Sequence, residues 1–145
     1  MELFLLVLIS VILFIINAAD LVAHRIGNRI LMVLALITVF HFLWVSQNLL
    51  GMLAGAFIFS FPFLLTYALN RRVLGAGDVK FSMLAGALVG YWFSMVLLLF
   101  TGLGFAAYLY WKFKRNQSIP EYQEIPFAPF ISIPLLFILI GRAIW

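Results

Sequence analysis

The chain has 145 residues, 66% of them hydrophobic and 10% charged, with a formal net charge of +4. Soluble globular domains are roughly half apolar and a quarter charged, so the composition excludes that class and specifies an all-α, polytopic transmembrane helix bundle. There is no cysteine, which excludes disulfides, thiolate metal sites and cysteine nucleophiles, and no nucleic-acid-binding signature is present.

Residues 3–19 form the first expected span, broken only by Ser10 and Asn17 and closed by Asp20. Glu2 stands where a signal peptide would carry basic residues, so the run reads as a retained helix. A polar connection with His24, Arg25, Gly27, Asn28 and Arg29 leads into the second span, residues 30–45. His41 lies inside it. It reads as a proton carrier or, preferably, as a neutral side chain satisfied by a neighbouring helix, since no second titratable group sits at helical spacing.

A short uncharged turn, residues 46–48, precedes the third span, residues 51–69. Gly51 and Gly55 have the spacing that lets helices touch closely, and Pro62 is expected to kink the helix. Asn70, Arg71 and Arg72 then lead into Gly75-Ala76-Gly77-Asp78-Val79-Lys80. Residues 79–111 are longer than one span requires, and Gly90, beside Tyr91 and Trp92, is the natural break. This predicts a short fourth helix over 78–90 and a fifth over 92–111. Asp78, Ser82 and Ala85 share one face of the fourth helix, bordered by Gly86, and that face is small enough for close approach. After a polar stretch, 112–124, the last span runs over 126–145, with Pro126 and Pro129 in its opening turns and a kink expected at Pro134. Six spans with short connections make one antiparallel bundle, a single domain over residues 1–145 with no internal repeat.

Eight of the nine basic residues fall on the first, third and fifth connections: Arg25 and Arg29; Arg71, Arg72 and Lys80; Lys112, Lys114 and Arg115. The positive-inside rule puts those connections in the cytoplasm and both termini outside. Asp20 and Asp78 then share the cytoplasmic side. A carboxylate beside hydrocarbon is costly, which marks both as candidate site residues, although Asp78 also reads as a plain helix cap after a glycine turn. Two carboxyl groups brought within a few Å share a proton. Such a pair deprotonates a water for attack on a peptide carbonyl and protonates the departing amine, so no cofactor and no metal is expected. No serine shares a cluster with a histidine and a carboxylate, and two histidines in different segments make a poor metal site.

The stretch Asp20-Leu21-Val22-Ala23-His24-Arg25-Ile26-Gly27-Asn28-Arg29-Ile30-Leu31 resembles the first catalytic segment of the type IV prepilin peptidases. That segment has an Asp followed, after a short basic stretch, by Ile-Pro-Asn and an apolar helix. Gly75-Ala76-Gly77-Asp78-Val79-Lys80 is similar to their second segment, G-x-G-D-x-K, and Ile125-Pro126-Phe127-Ala128-Pro129-Phe130 is similar to the proline-framed start of their last helix. The resemblance covers essentially the whole chain, in the order and spacing of the short members that serve Flp-type (tight adherence) pili. It implies a membrane aspartic endopeptidase of the GxGD kind, with Asp20 and Asp78 as the catalytic pair and Gly75, Gly77, Lys80 and Asn28 as supporting motif residues. The implied partner is a prepilin or pseudopilin with a basic leader and a hydrophobic helix. The implied place is the prokaryotic cytoplasmic membrane, with cleavage at its cytoplasmic face after a glycine that precedes the helix.

Methyltransferase activity is not implied, because nothing here resembles the paired-cysteine region of the larger bifunctional members. Gly27 replaces the family's proline and is expected to loosen the turn that aims the second helix. Lys80 reads mainly as a topology and snorkelling residue, alternatively as a charge acting on a carboxylate of a neighbouring helix. Asn17 reads as a partner of the Asp20 carboxylate or as glue to another helix; Glu121 and Glu124 read as attractors of a basic leader. The competing readings are another GxGD protease, such as a preflagellin peptidase, and, from a different class, a small proton-coupled transporter or a pilus-assembly scaffold.

Overall fold

In the computed structural model, which describes residues 2–23, 26–46, 48–69, 74–114 and 126–144, the chain is helical throughout its regular elements. In order these are α1 (Glu2–Ala23), α2 (Asn28–His41), a π-helical continuation of α2 (Phe42–Ser46), α3 (Leu49–Leu69), α4 (Ala76–Lys114) and α5 (Ala128–Ile144). Local chemistry explains the starts. Asn48 caps α3: its Oδ1 accepts the Gly51 N–H at 2.9 Å and its carbonyl accepts the Met52 N–H at 3.0 Å. Gly51 therefore serves the cap, and only Gly55 of the two glycines makes the close helix contact expected of them.

α1 from Leu3, α3 and α4 are long and apolar enough to cross a membrane, and α2 and α5 are shorter apolar helices. The outer surface agrees with that. Phe14, Phe57 and Phe137 are each more than 60% exposed, a surface suited to hydrocarbon and not to water. Inside, Leu13, Ile16, Leu34, Phe59, Phe81 and Leu135 are fully enclosed, so all five helices contribute to one core.

Among the described residues there are five α-helices where six were expected. The predicted fourth and fifth helices are the two arms of α4, joined at Gly90 with φ 75° and ψ 178°. A side chain is strongly disfavoured at that backbone geometry, and one glycine reverses the chain without any loop residues. The Ser94 hydroxyl secures the bend, donating to the Gly90 carbonyl at 2.7 Å with the Gly86 carbonyl also within 3.2 Å.

Contacts along α5 show that the arms run in opposite directions. Arg142, near its end, meets Val89 and the Phe93 ring, whereas at its start Phe127 stacks on Phe105 and Phe130 meets the same ring edge-on. α1 also runs antiparallel to α5, with Asp20 beside Ala128, and Leu5 and Ile9 lining a cavity with Leu139 and Arg142. Among the described residues the five helices therefore make six alternating passes, α4 contributing two.

α3 and the first arm of α4 are in backbone contact. A methyl group at Gly55 would stand 2.5 Å from the Gly86 carbonyl oxygen, and one at Gly86 would collide with the Gly55 carbonyl. The small face predicted around Ala85 and Gly86 is thus the one that α3 occupies. Both helices containing internal prolines, at Pro62 and Pro134, continue through them.

Candidate active site

One end of the bundle gathers the last turns of α1, the segment 26–28, the glycine turn before α4 and the start of α5. Asp20 is in α1, one turn from its end, and is buried. Its Oδ2 accepts the backbone N–H of Ala128, the first residue of α5, at 2.9 Å. The first amides of a helix have no intrahelical partner, and here a carboxylate from another helix takes one of them. Ala128 entered the sequence reading only as part of the proline-framed motif; a backbone donor leaves no mark of its own in a sequence.

Asp78 stands in the first turn of α4. Its Oδ2 accepts the Gly75 N–H at 3.1 Å while its own N–H donates to the Gly75 carbonyl at 3.1 Å. This is the reaching-back half of a capping box, so the capping reading of Asp78 describes one of its oxygens. The other, Oδ1, is shut off from solvent.

The two motif segments touch. A methyl group at Gly77 would sit 3.2 Å from both the Cβ and the carbonyl oxygen of Ile26, so the glycine is what lets the turn lie against that strand of backbone. Beside it the Lys80 ammonium donates to Asn28 Oδ1 at 3.0 Å across 52 positions of sequence. Lys80 is therefore a tether between the segments, beyond the topology role read from sequence. It points away from Asp78, as two residues along a helix must, and that direction is towards α2. Below the tether, Asn28, Leu31, Met32, Ala35, Lys80 and Met83 line an open groove of about 480 Å³.

Gly27 has φ −67° and ψ 134°, and a side chain there would meet nothing within 4 Å. That is the backbone a proline adopts, so the turn that aims α2 keeps a proline-like shape without the ring. Its carbonyl accepts the Ile30 N–H at 3.1 Å and the Leu31 N–H at 3.3 Å.

Asn17 does not act on the Asp20 carboxylate directly: its Oδ1 accepts the Ser132 hydroxyl at 2.7 Å, a bond to α5. His41 lies at the opposite end, in a cavity of about 110 Å³ shared with Arg142. Lys112, read from sequence as an orientation residue, is buried, with Nζ 5.9 Å from the centre of the Tyr108 ring. Arg25, Arg71, Arg72, Arg115, Glu121 and Glu124 lie outside the described residues. Among the described residues no three His, Cys, Asp or Glu are grouped to hold a metal ion.

An apolar helix bundle with carboxylates at the joint of its helix ends defines an integral membrane protein with a polar centre. The model of the type IV leader peptidase family matches residues 7–110, a stretch that includes Asp20, Asn28, Gly75, Gly77, Asp78 and Lys80. The chain belongs to the type IV leader peptidase family and is a peptidase. No curated protein and no solved structure matched the chain.

Proposed function

We propose that the protein is an aspartic endopeptidase that removes the leader from type IV prepilins or pseudopilins, of the kind that build Flp-type pili, at the cytoplasmic face of the membrane. The observation that carries this reading is the contact of the two motif segments through Lys80–Asn28 and Gly77–Ile26. It ties the turn bearing Asp78 to the stretch that follows Asp20, at one end of the bundle.

In this reading Asp20 and Asp78 hold one water between them. One carboxylate takes a proton from the water as its oxygen attacks the scissile carbonyl; the other delivers a proton to the amine as the C–N bond breaks. The end that holds them also carries Arg29, Lys80 and Lys112, which supports a cytoplasmic orientation by the positive-inside rule. The substrate offers a basic leader to that side and a hydrophobic helix to the bilayer.

Co-expression with candidate prepilins, scored for a leader-sized mobility shift, tests the proposal. The wild-type chain is expected to give the shift and Asp78→Asn to leave full-length prepilin. A shift undiminished by Asp78→Asn would remove the assigned chemistry.

A further inference from the structure

We propose that Asn17 and Ser132 are positioning residues for Asp20, setting the register of α1 against α5 so that its carboxylate meets the Ala128 amide. This rests on the proposed role of Asp20 in cleavage. Hydrogen bonds join α1 to α5 at two levels of the described residues: Ala128 N–H to Asp20 Oδ2 at 2.9 Å, and Ser132 Oγ–H to Asn17 Oδ1 at 2.7 Å. Residues 17 and 20 share a helix face, as do 128 and 132, so the bonds are successive rungs of one ladder.

The surroundings make the second rung exacting. Ile16, Ile131 and Ser132 are wholly buried, so no water competes for the Ser132 hydroxyl. A polar side chain left alone in such a place costs more than the bond itself contributes, which penalises any sliding of α1 along α5. A slip of one residue would move Asp20 about 1.5 Å along its helix axis and away from the Ala128 amide. Displacements of that size at a reacting group cost roughly a hundredfold in rate.

Ser132 has a second acceptor, the Pro129 carbonyl at 3.5 Å, and Asn17 is only partly buried. Replacing both partners by apolar groups of similar shape is therefore tolerable for folding, because no orphaned group remains. That separates positioning from stability.

The test is the double variant Asn17→Leu/Ser132→Ala beside Ser132→Ala, purified in detergent, with two readouts per folded molecule. The first is cleavage of a prepilin peptide; the second is the infrared carboxyl band that Asp20→Asn removes. The double variant is expected to fold at wild-type levels, to lose roughly tenfold or more in kcat with KM unchanged, and to show a displaced Asp20 band. An unchanged kcat, or a fall in kcat with the band in place, overturns the proposal. So does loss of folded protein in the double variant, because the bond would then hold the fold and not the carboxylate. If the wild-type chain cleaves no prepilin, the proposed function fails, while the position of the band still decides whether this rung sets Asp20.

Discussion

The two ends of the bundle solve the same problem with different groups. At one end Arg142 donates to the Val89 carbonyl at 3.1 Å and lies 5.4 Å from the Phe93 ring centre, while Ser94 closes the bend at Gly90. The acceptors that Arg142 and Ser94 use are backbone carbonyls and a ring face, which bind a donor and exchange no proton. At the other end the acceptors include the carboxylates of Asp20 and Asp78, held by the amides of Ala128 and Gly75. Both ends draw on the unsatisfied groups at helix termini, yet only the second brings carboxylates to them; the titratable side chain beside Arg142 is His41. Order at a helix end is thus common to both; in the proposed function the cleavage chemistry belongs to the carboxylate end.

The largest expected effect separates packing from site. Gly86→Ala places a methyl against the Gly55 carbonyl and 2.9 Å from the Phe59 Cβ, so α3 and α4 must part. Overpacking typically costs about 1–3 kcal/mol, and a backbone neighbour, which cannot swing aside, puts this case at the upper end. A melting assay in detergent is expected to show little folded protein. Gly102→Ala, where a methyl meets nothing within 4 Å, is expected to raise the melting temperature through better helix propensity, by about 1 kcal/mol or less. Equal tolerance at both positions would contradict the close contact.

Next comes a direct comparison of the ends. Arg142→Gln removes the charged donor to Val89 and the contact with Phe93, at about 1–2 kcal/mol. Melting should fall by several degrees while cleavage per folded molecule stays near wild type. Lys80→Met breaks the tether to Asn28, which is exposed and so contributes little to stability. Melting should barely move and cleavage should drop. If Arg142→Gln lowers cleavage per folded molecule as much as Lys80→Met does, the ends are not functionally distinct.

The smallest effect is at Gly27. Its backbone already has the φ of a proline and open space around it, so Gly27→Pro is expected to stabilise by about 0.4–1 kcal/mol through the unfolded chain. Thermal unfolding measures it. Loss of stability would mean that the Gly27 N–H is in use.

Much of this was legible in the sequence, for identifiable reasons. Apolar run lengths and the glycine beside Tyr91 and Trp92 marked six passes, because hydrocarbon thickness sets span length. They did not show that the fourth and fifth passes are one helical element, since a reversal at a single glycine uses no polar loop residues. Asp20 and Asp78 stood out because carboxylates are rare in apolar sequence. The work of Lys80 did not, because its partner is 52 positions away and the direction of a side chain across helices is a property of the fold. Asn17 was seen as polar glue or as a carboxylate partner, and only the antiparallel pairing of α1 with α5 decides between them. The Ala128 amide had no residue-specific signature beyond the prolines that frame the start of α5.

The most direct measurement is the rate of prepilin cleavage by Asp20→Asn, Asp78→Asn and the double variant, each normalised to folded protein. Asparagine keeps a carbonyl oxygen, so the bonds to the Ala128 and Gly75 amides and the packing around them survive. Two carboxylates that act as a unit predict that each single change removes roughly 99% of turnover or more and that the double variant is no worse than either. Losses that multiply in the double variant, or a single variant that retains a tenth of wild-type turnover, would contradict the pairing.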